Sequence, residues 1–215
     1  HDLLEFTDEE LFAVIDETHR NGLTITAHAT FNDCIQRMAE FGVDVIEHGG
    51  SMTDETIQLL LDKNIPIVTT LAPLVMQSQA ELARQYNIPE WKILERQKAV
   101  ANRGRYDGLI KASNAGVKIA FGTDAGSPVV GHEVVAPELK FMVELGIKKD
   151  NYDALRCATI VAAEVDGVGV GCFLTGFVDA GSFVLDVAGS GLQRAIRGDW
   201  VDHHISTAIV GRQQC

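Results

Sequence analysis

Val45-Ile-Glu-His-Gly-Gly50 and Ile119-Ala-Phe-Gly-Thr-Asp-Ala-Gly126 share one layout with Leu23-Thr-Ile-Thr-Ala-His-Ala29: an apolar run ends in a histidine or an aspartate, and a small residue follows. Apolar runs of this length, bounded by glycine, predict buried β-strands. In open α/β sheets and α/β barrels, functional side chains lie at the carboxyl ends of the strands. We therefore expect the two histidines and the aspartate to meet at one end of a parallel sheet.

A repeated pattern surrounds these runs: an amphipathic helix ends at Gly or Asn, and an apolar strand follows at once. Gly or Asn directly after a helix is a frequent left-handed cap. The strands are predicted at Leu23–Ala27, Val43–Glu47, Ile65–Leu71 and Val117–Thr123. Helix–strand units of this kind require parallel strands, because each crossover returns the chain to the same edge. The sequence predicts an α/β fold, either a doubly wound sheet or part of an eight-stranded barrel.

Two regions depart from this repeat. A long, mostly helical insertion at residues 73–104 separates the third and fourth strands, and it is either a lid over the strand ends or an ordinary pair of surface helices. Helices are predicted at Val134–Leu145 and Asp150–Val165. We expect residues 1–165 to form a partial barrel and residues 166–215 to form an irregular, β-like tail rich in glycine.

Composition excludes several classes of partner. The chain has 215 residues, 46% of them hydrophobic, and a net charge of −12, so no basic surface is available for nucleic acid. No apolar run approaches the roughly 20 residues that span a bilayer, and we expect no membrane partner. The four cysteines are far apart and form no CxxC pair, which favours a reduced, cytoplasmic protein. Because the chain starts at His1, we expect a fragment.

The chemistry predicted for the strand ends is metal binding. Imidazole nitrogens and carboxylate oxygens are zinc ligands, and catalytic zinc sites take about three of them, here His28, His48 and Asp124. A single histidine at a strand end is more often a structural polar residue, but three equivalent positions favour a site. We expect the small residues that follow to admit metal and substrate, and strand alternation to turn Glu47 away, into the helix layer. His132, in the loop after Asp124, and Thr70 are candidate substrate contacts.

The motifs TAHA (Thr26–Ala29), IEHGG (Ile46–Gly50) and AFGTDAG (Ala120–Gly126), followed by His132 and Glu138-Leu139, give the chain a family resemblance. It resembles the metal-dependent amidohydrolase superfamily, closest to its imidazolonepropionase-like and Xaa-Pro dipeptidase (prolidase) branch. The resemblance covers about residues 5 to 165. It implies a distorted (β/α)8 TIM-type barrel with a centre of one or two divalent metal ions, zinc being expected.

The resemblance also implies roles for individual residues. His28 and His48 would be the metal ligands of strands five and six, and Asp124, on strand eight, would bind metal and shuttle a proton. Metal-activated hydroxide would attack a carbonyl carbon, so the implied reaction is hydrolysis of an amide or peptide C–N bond in a small molecule or dipeptide, by a dipeptidase or a cyclic amidase. A deaminase is disfavoured, because no glutamate lies three residues after His28.

Departures from the family pattern limit this interpretation. The HxH pair of strand one and the bridging lysine of strand four are absent, so the chain resembles the C-terminal half of the barrel, strands five to eight, with a remnant of the small β-sandwich as its tail. We expect weak or no catalysis from the chain as given. The alternatives are an inactive half-barrel that self-associates as a homo-oligomer, and a barrel enzyme of another class. For the latter, no phosphate loop is present and Lys118 starts its strand instead of ending it.

Overall fold

Four short strands form one parallel sheet in the computed structural model, which describes residues 6–165. The strands are β1 (Thr26–Ala29), β2 (Val45–His48), β3 (Ile67–Thr69) and β4 (Ile119–Phe121). Their spatial order, β1-β2-β3-β4, follows the chain. A doubly wound sheet reverses its strand order at a switch point, whereas consecutive strands of a β/α barrel lie side by side in sequence. The α/β prediction is confirmed, and the arrangement is that of a partial TIM-barrel-like fold.

Helices connect and flank these strands. They are α1 (Asp8–Arg20), α2 (Asn32–Phe41), α3 (Asp54–Asp62), α4 (Ala72–Gln77), α5 (Ala80–Gln85), α6 (Glu90–Asn102), α7 (Gly104–Ala115), α8 (Val135–Glu144), α9 (Asn151–Cys157) and α10 (Ile160–Val165). A short 3₁₀ turn, His132–Val134, precedes α8. Within residues 6–165, none of these helices combines the length and apolarity needed to cross a bilayer. The predicted tail, residues 166–215, lies outside the described residues.

Local signals set several helix ends as the sequence predicts. Thr7 caps α1 in a capping box: its backbone N–H donates to Glu10 Oε2 at 2.8 Å, and its hydroxyl accepts from the Glu10 N–H at 3.3 Å. Gly42 and Gly116 close α2 and α7 in the left-handed conformation, with φ of 90° and 104°. Each cap turns the chain directly into the next strand, which is how the repeat produces parallel neighbours.

One segment that the sequence predicts as a single helix forms two helices in the structure. The segment predicted as Asp150–Val165 breaks between α9 and α10, at Ala158 and Thr159. The Thr159 hydroxyl donates to the carbonyl of Leu155 at 2.8 Å, a local bond that competes with the backbone ladder. The predicted strands are also longer than the observed ones, because pairing in the sheet stops where the chain turns into its loops.

The two faces of the sheet differ in character. Ala27, Ile46, Ile67 and Ile119 are at most 2% exposed and pack into the main hydrophobic cluster with the surrounding helices. The opposite face carries partly exposed residues, among them His28 at the end of β1. Side chains alternate between faces along a strand, so the sequence builds an apolar helix-facing side and a polar side. The polar side is where the candidate site lies.

The helical insertion between β3 and β4 packs onto the loop that follows Asp124. Val129 of that loop is 4% exposed and forms a separate apolar cluster with Ala83, Ile88 and Ile93 of the insertion. The Gln77 side chain, 3% exposed, donates to the carbonyl oxygen of Pro128 at 3.0 Å. The insertion therefore lies at the carboxyl ends of the strands, as the lid interpretation requires.

Candidate active site

The structure brings His28 and His48 together. The sheet register pairs His28 with Glu47 and Ala29 with His48, so the two histidines end adjacent parallel strands one step apart. Their ring centroids are 4.2 Å apart, with the planes at 70°. Both residues are partly buried. Two imidazoles in edge contact at neighbouring strand ends can hold one metal ion between them.

His48 adopts a left-handed backbone conformation, which is uncommon for residues other than glycine. Its φ is 69°, and Asp124, the predicted strand-eight residue, has φ of 55°. Left-handed φ values are uncommon outside glycine and collect at functional sites. The turn at His48 sends its ring across the strand end towards Thr70, whose hydroxyl lies 2.5 Å from His48 Nδ1. With Nδ1 occupied, Nε2 is the nitrogen that remains for a metal.

Glu47 does not face the helix layer, and the prediction that it would is wrong. Burial is the main cause that raises the pKa of Glu47, to about 7; the charge of Asp124 adds to the rise, and a hydrogen bond from the Thr26 side chain opposes it. These contacts lie on the polar face, and Ile46 is the residue of β2 that joins the helix-facing core. The prediction assumed regular alternation through His48, but the left-handed turn at His48 ends that alternation.

The remaining predicted site residues are less closely assembled. Asp124 is exposed as a residue, and within residues 6–165 it does not complete a group of three side chains able to hold a metal with the histidines. Its electrostatic effect on Glu47 still places it on the same face. His132 is exposed in the 3₁₀ turn, and Thr70 is 8% exposed against His48. The metal and substrate assignments of these residues stay predictions.

The two glycines of the IEHGG motif allow neighbouring parts of the protein to pack closely against the chain at this motif. A Cβ on Gly49 would lie 2.8 Å from Ile67 Cγ2, and one on Gly50 would lie 2.0 Å from the carbonyl oxygen of Thr30. A Cβ on Gly108 of α7 would lie 2.1 Å from the carbonyl oxygen of Gly50. The expectation that Gly49 admits metal and substrate stays a prediction. Their missing side chains let β1, the β2 loop and α7 approach at backbone distance.

The buried side chain of Glu138 anchors the loop that follows β3. It is fully buried in α8, and its two carboxyl oxygens accept the backbone N–H groups of Leu71 at 2.7 Å and Ala72 at 2.6 Å. Burial raises the pKa of Glu138 to about 8, and the two backbone donors oppose that rise. Leu71 directly follows Thr70, so the carboxyl group fixes the loop that carries the hydroxyl beside His48. The sequence marked Glu138 only as part of a motif, with no sign of this contact.

A family model described as the Amidohydrolase family matches residues 1–211. The chain belongs to the amidohydrolase family. An uncharacterized protein of Mycobacterium tuberculosis is 34% identical over 143 residues, which cover 66% of this chain and 37% of that protein. A putative prolidase from Bifidobacterium longum is similar in structure, with a TM-score of 0.65 and 29% identity over 74% of this chain and 40% of that one.

A prolidase solved with N-methylphosphonate-L-proline is also similar, with a TM-score of 0.64 and 28% identity over 76% of this chain and 38% of that chain. This amidohydrolase chain therefore spans about two-fifths of the length of the relatives that it matches. The prediction of the prolidase-like branch is confirmed.

Electrostatics keep both histidines of this amidohydrolase neutral. Burial is the largest cause that lowers the pKa of His48 to about 3; the interaction with His28 and the charges of Arg105 and Arg96 lower it further. The pKa of His28 is lowered by burial, then by Arg105 and Arg96. Burial raises the pKa of Asp124, and Arg105 opposes the rise. Neutral imidazole is the form that binds metals, so the site is prepared for ligation at neutral pH.

In the metal-free protein, His48 should contribute a loss of stability as the pH falls below about 6.5, whereas the raised pKa values of Glu47 and Glu138 act in the opposite direction. The pKa of His48 is lower in the folded state than in the unfolded chain, so the unfolded chain binds the proton first and this contribution grows down to about pH 3. It should reach on the order of 1 kcal/mol per pH unit. Urea unfolding at pH 7 and pH 5, for the unaltered chain and for His48→Gln, isolates it. On going from pH 7 to pH 5 the His48→Gln variant should become more stable relative to the unaltered chain, whereas His132→Gln should follow the unaltered chain; equal behaviour of the two variants would contradict the assignment.

Proposed function

We propose that the complete protein is a metal-dependent hydrolase of amide or peptide C–N bonds, and that this chain forms the C-terminal half of its barrel, strands five to eight. The observation that carries the proposal is the pair of neutral imidazoles, 4.2 Å apart, at the ends of adjacent parallel strands. Membership of the amidohydrolase family and the similarity to prolidases support it. On this assignment β1, β2, β3 and β4 are strands five to eight of the barrel.

The donor set fits a divalent metal ion, with zinc as the proposed metal. His28 and His48 would hold it through imidazole nitrogens, and Thr70 would orient His48 through Nδ1. When bound, the metal would activate a water molecule for attack on a carbonyl carbon. The complete protein would bind one or two such ions. Further ligands would come from the first half of the barrel.

Asp124 is the proposed catalytic group for proton transfer. Its carboxylate would accept the proton released during attack and donate it to the leaving amine nitrogen. The raised pKa of Asp124 favours this role, because a carboxylate of higher basicity holds a proton more readily. His132, exposed in the turn that follows the Asp124 loop, is the proposed contact for a small-molecule or dipeptide substrate.

Zinc content tests the site directly. In equilibrium dialysis the chain should retain zinc, and His28→Ala and His48→Ala should each retain much less. His132→Ala is the matched control, since it removes an exposed imidazole that is not a proposed ligand, and it should retain as much zinc as the unaltered chain. Equal zinc in the His48→Ala variant and the unaltered chain would overturn the proposal.

A second candidate is a half-barrel that self-associates without catalysis. Among the described residues, β1 pairs only with β2 and β4 pairs only with β3, so two strand edges are available for pairing. Unpaired edges promote association between chains. Sedimentation velocity at several concentrations separates the two candidates: a monomer at every concentration, with zinc bound, argues against the half-barrel oligomer.

A further inference from the structure

A valine in the loop that follows β4 has a backbone conformation that its branched side chain disfavours. Val129 has φ of 76°, in the left-handed region. A β-branched residue at positive φ is an outlier, and such a conformation persists only where the surrounding structure holds it. Gly126 of the same loop has φ of 101°, which glycine adopts without strain. The conformation of Val129 must therefore be imposed by the groups that pack against it.

Apolar packing on two sides holds this part of the chain. Val129 is 4% exposed and lies in a cluster with three residues of the insertion between β3 and β4: Ala83, Ile88 and Ile93. The next residue, Val130, is 2% exposed and lies in a second cluster with Ala72 and Val134. Met76 of α4 packs against both clusters. Two consecutive valines thus anchor the loop to the helices of the insertion.

A buried glutamine adds a polar connection to the same loop. The Gln77 amide nitrogen donates to the carbonyl oxygen of Pro128 at 3.0 Å and lies 3.4 Å from Ser127 Oγ. The backbone N–H of Ser127 donates to the carbonyl oxygen of Asp124 at 3.1 Å. Gln77 is 3% exposed, and its Oε1 accepts from Arg96 Nε at 3.2 Å, so both ends of its amide group are held. A short series of hydrogen bonds therefore joins α4 to the backbone of Asp124.

We propose that Gln77 and Val129 are positioning residues, which hold residues 124–130 in one conformation and thereby fix the Asp124 carboxylate at the carboxyl end of β4. Val129 acts through burial in the insertion, and Gln77 acts through its hydrogen bond to the loop backbone. The inference deepens the proposed function and rests on it for the catalytic role of Asp124. A group that transfers a proton must lie at a defined distance from the reacting atoms, so loss of either anchor would misplace it.

The carboxyl ¹³C resonance of Asp124 in the metal-free, 215-residue chain tests this role. Gln77→Met keeps the length of the side chain and removes both of its polar groups. It should shift the Asp124 carboxyl resonance. It should also speed hydrogen exchange of the loop amides about tenfold, the effect of losing one hydrogen bond. The amides concerned are those that donate within the loop: Gly126, Ser127 and Val130.

Gln97→Met is the matched control. Gln97 lies on α6 of the same insertion, is exposed, and donates to the carbonyl oxygen of Ser78 at 3.1 Å. Its substitution also removes a hydrogen bond from a glutamine to a backbone carbonyl, but outside the loop. Gln97→Met should leave the Asp124 carboxyl resonance and the loop exchange as they are in the unaltered chain. Equal changes in the two variants, or an unchanged resonance in Gln77→Met, would reject the positioning role.

Alanine and glycine at position 129 test the left-handed anchor. Both substitutions remove the valine side chain from its cluster, but only glycine adopts φ of 76° without strain. Val129→Gly should therefore unfold at a higher urea concentration than Val129→Ala, the reverse of the usual order of these two residues. Both variants should shift the Asp124 carboxyl resonance. A Val129→Ala variant at least as stable as Val129→Gly would reject the anchor.

Failure of the proposed function gives a different result, which is no zinc retained by the unaltered chain. A shifted Asp124 resonance in Gln77→Met would then still establish the connection between the insertion and the loop. Retained zinc with no response of the loop would leave the hydrolase and remove only the positioning role of Gln77 and Val129.

Discussion

Replacing Gly108 with alanine is expected to destabilise the protein by about 3 kcal/mol or more. The new Cβ would lie 2.1 Å from the carbonyl oxygen of Gly50, 2.9 Å from the Met52 nitrogen and 2.9 Å from Ser51 Cα. All three neighbours are backbone atoms, so no change of rotamer relieves the contact. The loss should exceed by far the gain of about 1 kcal/mol that alanine normally brings to a helix interior. Chemical denaturation of both proteins measures the difference.

Gly104 provides the matched control in the same helix. It is the first residue of α7, and a Cβ there would meet nothing within 4 Å. Gly104→Ala should therefore change the free energy of unfolding by less than about 1 kcal/mol. A Gly108→Ala variant as stable as Gly104→Ala would show that α7 does not approach the His48 loop at backbone distance. That result would also remove the structural explanation for Gly50 in the IEHGG motif.

Replacing Glu138 with alanine should cost about 3 kcal/mol or more, since each buried donor left without a partner costs roughly 1–3 kcal/mol. Two such donors, the N–H groups of Leu71 and Ala72, lose their acceptors. Glu138→Gln should be milder, because its amide oxygen can still accept one of them. Glu144→Gln, which changes an exposed carboxylate of the same helix, should cost less than about 1 kcal/mol.

Glu138→Ala should also alter the site at a distance. The strand-end loop would lose its anchor, and the Thr70 hydroxyl would leave the Nδ1 atom of His48. The imidazole resonances of His48 should then shift in the NMR spectrum, whereas those of the exposed His132 should not. An unfolding free energy equal to that of Glu144→Gln would contradict the proposed support.

The sequence predicted the parts of the fold that depend on local signals. The apolar runs predicted the positions of all four strands. Thr7, Gly42 and Gly116 predicted helix ends, because a single residue can cap a helix. The break between α9 and α10 was missed, since it depends on one threonine hydroxyl competing with the helix ladder. The branch of the family was predicted from three motifs together with their order.

The site was predicted less completely, because several of its contacts join distant parts of the chain. The adjacency of His28 and His48 follows from parallel strands and was expected. The direction of Glu47 was not, because the left-handed turn at His48 has no signature in the sequence. The contact of Arg105 with Gly49 joins positions far apart in the chain, and only the packed structure shows it.

The in-sequence order of the sheet has a consequence for how the site is assembled during folding. Thr26 pairs with Val45 and Ile46 with Ile67, across short connections, whereas Ile67 pairs with Ile119 only after the whole insertion has been spanned. The entropy lost on closing a loop grows with its length, so β4 joins the sheet at the greatest entropic cost. We therefore expect the strands that carry the histidine pair to associate at a lower entropic cost than the strand that precedes Asp124.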